Sequence, residues 1–154
     1  MQLIRGQKLK LSDVLNNSLS FSLATTPPSN LNLDIALFGL DSQGKLSDEA
    51  YMIFYNQPQS PCGSLTLSQN ASQIVSFDVN LATLTPHIER LVLTLTIDGH
   101  QTMSQLPAMA INLQSQQQTV VSFPIDGSMF QQEKALMALE LYKKDGSGMK
   151  SMLV

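Results

Sequence analysis

Leu91-Val92-Leu93-Thr94-Leu95-Thr96-Ile97 alternates with period two: Leu91, Leu93, Leu95 and Ile97 fall on one side, Val92, Thr94 and Thr96 on the other. A strand has that period, since successive side chains leave opposite faces of a pleated chain. The same pattern recurs in Ser18 to Leu23, Leu31 to Leu40, Val75 to Val79, Met109 to Leu113 and Val120 to Ile125. Turn chemistry separates the runs: Thr26-Pro27-Pro28-Ser29-Asn30, Gly39 to Gly44, Asp98-Gly99 and the glutamine-rich Gln114 to Gln118. Many short strands with no strand–helix–strand alternation predict an all-β fold, a two-sheet antiparallel β-sandwich with one or two short helical turns. Ser47-Asp48-Glu49 and Asn80 to His87 are where such turns are expected. The N-terminus, MQLIRGQKLKLSD, alternates as a strand would.

Tyr51-Met52-Ile53-Phe54-Tyr55 is an aromatic-rich run that stops at Asn56-Gln57-Pro58, with Pro61 following. Tyr, Ile and Phe favour strands, while proline cannot donate to a central ladder. The prolines therefore end the strand, and Ile53 and Tyr55 are expected in the core beside Leu91, Leu93, Leu95 and Ile97. Glu133 to Lys144 reads two ways. Its residues favour helix, yet Ala135, Met137, Leu139 and Leu141 also fit one face of a strand. With the turn residues Asp145-Gly146-Ser147-Gly148 behind it, a terminal hairpin is the preferred reading and a helix the alternative.

The 154 residues fit one domain, 1–154, with a real core. No internal repeat is visible. Charged residues are 14% and hydrophobic residues 43%, yet no apolar run approaches the roughly 18 to 20 residues needed to span a bilayer. Direct membrane insertion is therefore not expected. The start lacks the apolar core of a secretory signal. The net charge is −3 and Lys143-Lys144 is the one adjacent basic pair, so nucleic acid is not an expected partner. One cysteine, Cys62, forms no internal disulfide and no thiolate metal site, which fits a cytoplasmic protein.

Catalysis is not expected. Cys62 with His87 or His100 is the conceivable nucleophile and base. Neither histidine sits in a recognisable motif, and Cys62 lies in a Pro-Cys-Gly turn without an adjacent cation. No phosphate loop, nucleophile elbow or zinc-binding helix motif is present. Asn32 and Asp34, two apart on one strand, project from one face. A carboxylate among Leu33, Ile35 and Leu37 needs a partner or solvent. A solvated outer face is preferred over an oxygen-ligand metal site on residues alone. Asp41, Asp48 and Glu49 read as solvated loop charges. The glutamines at 114 and 116 to 118 read as a soluble loop, and the eight methionines as scattered core filling.

NLDIALFGLDSQGKLSDEAYMIFYNQP resembles the signature of the TerD/TerA tellurium-resistance and stress-protein family: an aspartate-flanked strand, a Gly-Lys turn, then Phe54-Tyr55-Asn56-Gln57-Pro58. Ile88 to Asp98, Leu139 to Tyr142 and the opening residues are also similar, so the resemblance covers nearly the whole chain. It implies a β-sandwich with no enzymatic activity. It also implies a role in tellurite or chemical stress through assembly with other stress-response proteins, in a complex that can be membrane-associated. In that light the Asn56-Gln57-Pro58 corner is a structural turn whose amides bond backbone groups.

TerD-like members bind calcium with paired aspartates, and Asn32 and Asp34 occupy the matching positions. Here one aspartate is Asn32. The acidic loop that follows the aromatic strand in the family is replaced by SLTLSQNASQIVSF, without Asp or Glu before Asp78. Calcium takes about 6 to 8 oxygen ligands, several usually carboxylates. The site is therefore expected to be degenerate, with no cofactor needed and calcium binding weak at best, and the pattern is closer to the TerA-like branch. A functional calcium-binding domain is the alternative. The ending Lys150-Ser151-Met152-Leu153-Val154, where the family often runs on into a glycine-rich stretch, suits a shortened member or one domain of a longer chain.

Overall fold

A computed structural model describes residues 1–16, 18–69, 73–143 and 149–153. Two antiparallel sheets face each other. The six-stranded sheet is built from β1 (Lys8–Lys10), β3 (Leu33–Leu40), β4 (Met52–Ile53), β7 (Arg90–Ile97), β10 (Ala135–Lys143) and β11 (Met149–Leu153), in the order β1-β11-β10-β7-β3-β4. The five-stranded sheet holds β2 (Ser20–Thr25), β5 (Leu65–Gln69), β6 (Val75–Asn80), β8 (Met109–Ser115) and β9 (Gln118–Ile125), in the order β5-β6-β2-β8-β9. The one α-helix among the described residues, α1 (Ser12–Leu15), is a single turn, and short 3-10 turns sit at Glu49–Tyr51, Pro61–Gly63, Met103–Gln105 and Gly127–Met129.

The alternation decides which side chains enter the core. Leu91, Leu93, Leu95 and Ile97 of β7 are buried, and their register partners Gly39, Leu37, Ile35 and Leu33 on β3 face the same way. The opposing sheet contributes Phe21, Leu23, Phe77, Val79, Ile111, Leu113, Val121 and Phe123. Burying each such side chain contributes about 1.5 to 3 kcal/mol relative to leaving it in water. The outer residues of β7 are Thr94, Thr96 and Val92. Val92 is nonetheless covered, lying between Phe38 of β3 and Glu140 of β10.

The segment 133 to 144 resolves in favour of a strand, and its register differs from simple alternation. A bulge between Met137 and Leu139 shifts the phase of β10. Leu136, Leu139 and Leu141 therefore pair with the inward Leu95, Leu93 and Leu91, while Ala135 and Met137 stand opposite the outward Thr96 and Thr94. The turn at Asp145 to Gly148 lies outside the described residues, but β11 pairs antiparallel with β10 as a hairpin requires.

Three other expectations are corrected. Tyr55 is not core: it is 72% exposed, whereas Tyr51 is buried. The strand there is only Met52–Ile53, and a tight turn follows in which Phe54 and Gln57 exchange both backbone hydrogen bonds, leaving Tyr55 at the tip. Asn80 to His87 holds turns but no helix; the Asn80 side chain accepts from the Ala82 N–H and diverts the chain. Gln114 to Gln118 is not a long loop. The strands run to Ser115 and from Gln118, and Gln116-Gln117, both with positive φ, form a two-residue hairpin turn. At Ser47-Asp48-Glu49 the expected helical turn is a 3-10 turn, Glu49–Tyr51, with Asp48 accepting from the Ala50 N–H.

Candidate functional site

Asn32 and Asp34 lie at one end of the outer face of the six-stranded sheet, both exposed. Leu33 and Ile35 turn inward beside them, so the apolar neighbours of Asp34 in sequence are not its neighbours in space. Opposite Asp34 stands Thr96, and opposite Asn32 stands Asp98, whose N–H donates to the Asn32 carbonyl at 2.9 Å. Register thus adds Asp98, a carboxylate that spacing alone cannot assign. Nearby, the Lys134 ammonium donates to the Gly99 carbonyl at 2.7 Å.

Two carboxylates and one amide on an open face fall short of a calcium shell. Among the described residues no group of three or more His, Cys, Asp or Glu side chains is placed to hold a metal ion. The other acids serve loops. Asp41 accepts from the N–H groups of Gln43 and Lys45, closing the turn in which Gly44 takes a φ of +74°. The Lys45 N–H, then that of Gln43, hold the Asp41 carboxyl below its ordinary 3.8, with desolvation opposing. Asp126 is likewise lowered, by the Ser128 hydroxyl and then the Ser128 N–H.

The histidines lie beyond opposite ends of β7, a strand of eight residues and so roughly 26 Å long at about 3.3 Å each. His87 is exposed, bonded to the Thr85 hydroxyl at 3.0 Å and edge-on to the Tyr51 ring at 5.7 Å. His100 is exposed just past the Asp98-Gly99 turn. Cys62 belongs to the 3-10 turn Pro61–Gly63 ahead of β5, in the other half of the sandwich.

The Phe54-to-Pro58 block has a structural explanation. The Gln57 side-chain amide donates to the carbonyls of Glu49 and Met52, both at 2.7 Å. It ties the aromatic turn to the preceding 3-10 turn. After Pro58 the chain stays extended and covers the edge of β5. Leu67 donates to the Pro58 carbonyl, and Ser60 donates to the Leu65 carbonyl while its hydroxyl accepts from the Leu65 N–H.

Concave features also occur among the described residues. A depression of about 450 Å³ on the outer face of the five-stranded sheet includes Ser20, Ser22, Asp78, Asn80 and Gln114; its Asp78 carboxylate accepts from the Ser22 hydroxyl at 2.6 Å. A cleft of about 320 Å³ opens between β9 and β10, lined by Arg5, Phe123, Phe130, Glu133 and residues 135–138. Sequence reading missed both, because each draws on strands distant in the chain.

The family model of the TerD domain matches residues 1–148. The chain belongs to the TerD domain family. This TerD-domain chain is 34% identical over 95 residues to the tellurium resistance protein TerA of an Alcaligenes species, a match covering 62% of the chain. The matched part spans only 27% of that relative's length. The fold of the TerD domain is shared by the crystal structure of a TerD homologue, SCO6318 from Streptomyces coelicolor A3(2), with a TM-score of 0.65, 16% identity and 87% of each chain covered. It is shared equally by the unknown-function protein SAV2460, with a TM-score of 0.64, 17% identity and 86% of each chain covered. Among the described residues no helix is long and apolar enough to cross a membrane.

Proposed function

We propose that this TerD-domain chain is a non-enzymatic module of the response to tellurite and related chemical stress, acting in the cytoplasm through assembly with other stress-response proteins. The observation that carries the reading is the 34% identity to a protein named for tellurium resistance, within a family match along residues 1–148. The surface chemistry of the chain supports assembly over catalysis. The outer face of the six-stranded sheet presents the partly exposed Phe38, Leu40, Met52 and Tyr142 and the exposed Met137, around the Arg90–Glu140 ion pair at 2.9 Å. Such a face suits protein contact. The histidines lie beyond opposite ends of β7, and among the described residues no convergent acid, base and nucleophile are brought together. The proposed partners are proteins, in a complex that gathers at the membrane surface without insertion, and not nucleic acid.

In this reading Asn32 and Asp34 are a degenerate calcium position that binds weakly or not at all. The alternative is a functional calcium-binding domain, favoured by one observation: register places Asp98 opposite Asn32, beside Asp34. Restoration of tellurite tolerance in a host lacking the gene tests the proposal. Failure of the wild-type gene to restore it would remove the proposal.

A further inference from the structure

Asp and Asn are depleted in strands, where branched and aromatic side chains suit the pleated surface better. β6 nonetheless places Asp78 and Asn80 together on the outer face of the five-stranded sheet, and β2 beside it places Ser20 and Ser22 there. The intervening Phe21 and Val79 go into the core. Register sets the outer residues in two rows. Asp78, Ser22 and Gln114 of β8 stand opposite one another across three strands, and Asn80 stands opposite Ser20. With strands about 4.8 Å apart, Asp78 and Gln114 flank Ser22 with about 10 Å between them, and the second row lies about 7 Å along the strands.

Short serines on the middle strand, with longer polar side chains on both flanks, make this part of the sheet concave. Two turns add walls. One is Gly63-Ser64, where the Asn80 N–H donates to the Ser64 carbonyl at 2.8 Å, and the other is the Gln116-Gln117 hairpin turn beyond the end of β8. The volume of about 450 Å³ falls within the roughly 300 to 1,000 Å³ of small-ligand sites. The hydrogen-bonding groups are divided between donors and acceptors. The Ser22 hydroxyl donates to one Asp78 carboxylate oxygen at 2.6 Å, which leaves the other oxygen to accept. The Asn80 side-chain oxygen takes the Ala82 N–H at 3.1 Å, which leaves its NH2 group to donate. The Gln114 NH2 group reaches the Thr119 hydroxyl at 3.4 Å, which leaves its carbonyl oxygen to accept. Among the described residues that line the depression, Asp78 is the one charge.

We propose that this depression is a saccharide-binding site, which holds a neutral sugar ring by its hydroxyl groups. Each sugar hydroxyl both donates and accepts, so a ring carrying several can use all the groups of the depression. It donates to Asp78 and Gln114, accepts from Asn80, and does either with the Ser20 hydroxyl. Charged ligands fit less well. An anion meets the Asp78 carboxylate with no cation to offset it, and a cation that gains from Asp78 also meets the Asn80 NH2 group. The bond from Ser22 fixes the Asp78 carboxylate in advance, so less order is lost on binding. Each hydrogen bond made on this open face replaces one to water, so the net gain is small and the dissociation constant is on the order of millimolar. The site stands on the geometry of β2, β6 and β8 alone and does not need the tellurite reading.

The test is a titration of the uniformly 15N-labelled full chain with the methyl glycosides of glucose, galactose, mannose and N-acetylglucosamine, each to about 50 mM, read by amide chemical shifts. Sugars stabilise folded proteins in general by exclusion from their surface, so residue-resolved shifts are read and not a melting temperature. The expected result is saturable shifts from at least one glycoside, centred on residues 20–22, 78–80 and 114–117. Asp78→Ala is expected to weaken that binding about tenfold and Gln114→Ala about threefold, with the rest of the spectrum unchanged. Gln114 lies on the sheet surface, so its variant decides the matter if Asp78→Ala does not fold. Absence of saturable shifts with all four glycosides would overturn the proposal, as would shifts centred elsewhere or undiminished affinity in the folded variants. 1,4-Diaminobutane and glucose 6-phosphate serve as cationic and anionic probes, and tighter binding of either at the same amides would overturn it too. None of these outcomes depends on the tellurite phenotype, so the two readings can fail separately.

Discussion

The Gln57 side-chain amide donates to the Met52 carbonyl at 2.7 Å, reaching back across the tight turn that ends the aromatic run. It donates equally to Glu49. One side chain thus reaches a carbonyl at each end of the 3-10 turn, Glu49, which also accepts from the Met52 N–H, and Met52 just past it. Replacing Gln57 by Ala removes this donor from the part-buried Met52 carbonyl, while Glu49 keeps the Met52 N–H. Gln57→Ala is expected to cost about 1 to 3 kcal/mol in urea unfolding. A loss below about 0.5 kcal/mol, the scale of an ordinary surface change, would show that the corner is held by other contacts.

Gly127 is fixed by close approach. A Cβ there would meet the Ser104 carbonyl oxygen at 2.1 Å, and the Gly127 N–H already donates to the Leu106 carbonyl at 2.7 Å. The two 3-10 turns Met103–Gln105 and Gly127–Met129 are in contact at this point. Gly127→Ala must push them apart, with an expected loss of roughly 1 to 3 kcal/mol as for other overpacked sites. Calorimetric melting of the variant checks it, and an unchanged melting temperature would contradict the contact.

Much of the fold was legible because core strands alternate regardless of their partners. β7 and β3 show this residue by residue. Local propensity favoured a helix at 133 to 144, but pairing with β7 and burial of Leu136, Leu139 and Leu141 against the core prevail. The bulge before Leu139 was not legible, since it moves Ala135 and Met137 to the opposite face from Leu139 without altering composition. Tyr55 misled for a related reason: alternation says nothing about where a two-residue strand ends and a turn begins. At the candidate site, the common face of Asn32 and Asp34 follows from spacing. Asp98 beside them follows only from register.

Asp41 links pH to stability with a definite sign. Its folded carboxyl lies below its ordinary 3.8, held chiefly by the Lys45 N–H. A lowered folded value means the contribution is fully present above 3.8 and is lost as pH falls through the folded value. Asp41→Asn removes that contribution at neutral pH and with it part of the acid sensitivity. Melting temperatures taken from about pH 6 to about pH 2 should fall less for the variant than for the wild type. Parallel curves would contradict the assignment.

Calcium binding is expected to be weak. Asn32 keeps an oxygen but carries no charge, and the two carboxylates on that face do not repay the stripping of water from a doubly charged ion. Isothermal titration is expected to give no heat, or a dissociation constant on the order of millimolar. A micromolar site abolished by Asp34→Ala would establish the calcium-binding alternative.

The most direct measurement is growth in tellurite of a host deleted for the gene and complemented with either the wild-type chain or Asp34→Ala at matched expression. Asp34 is exposed on the sheet surface, so its loss leaves the fold intact. A module that works by protein contact predicts that both genes restore tolerance equally. Restoration by neither, or by the wild type alone, would contradict it.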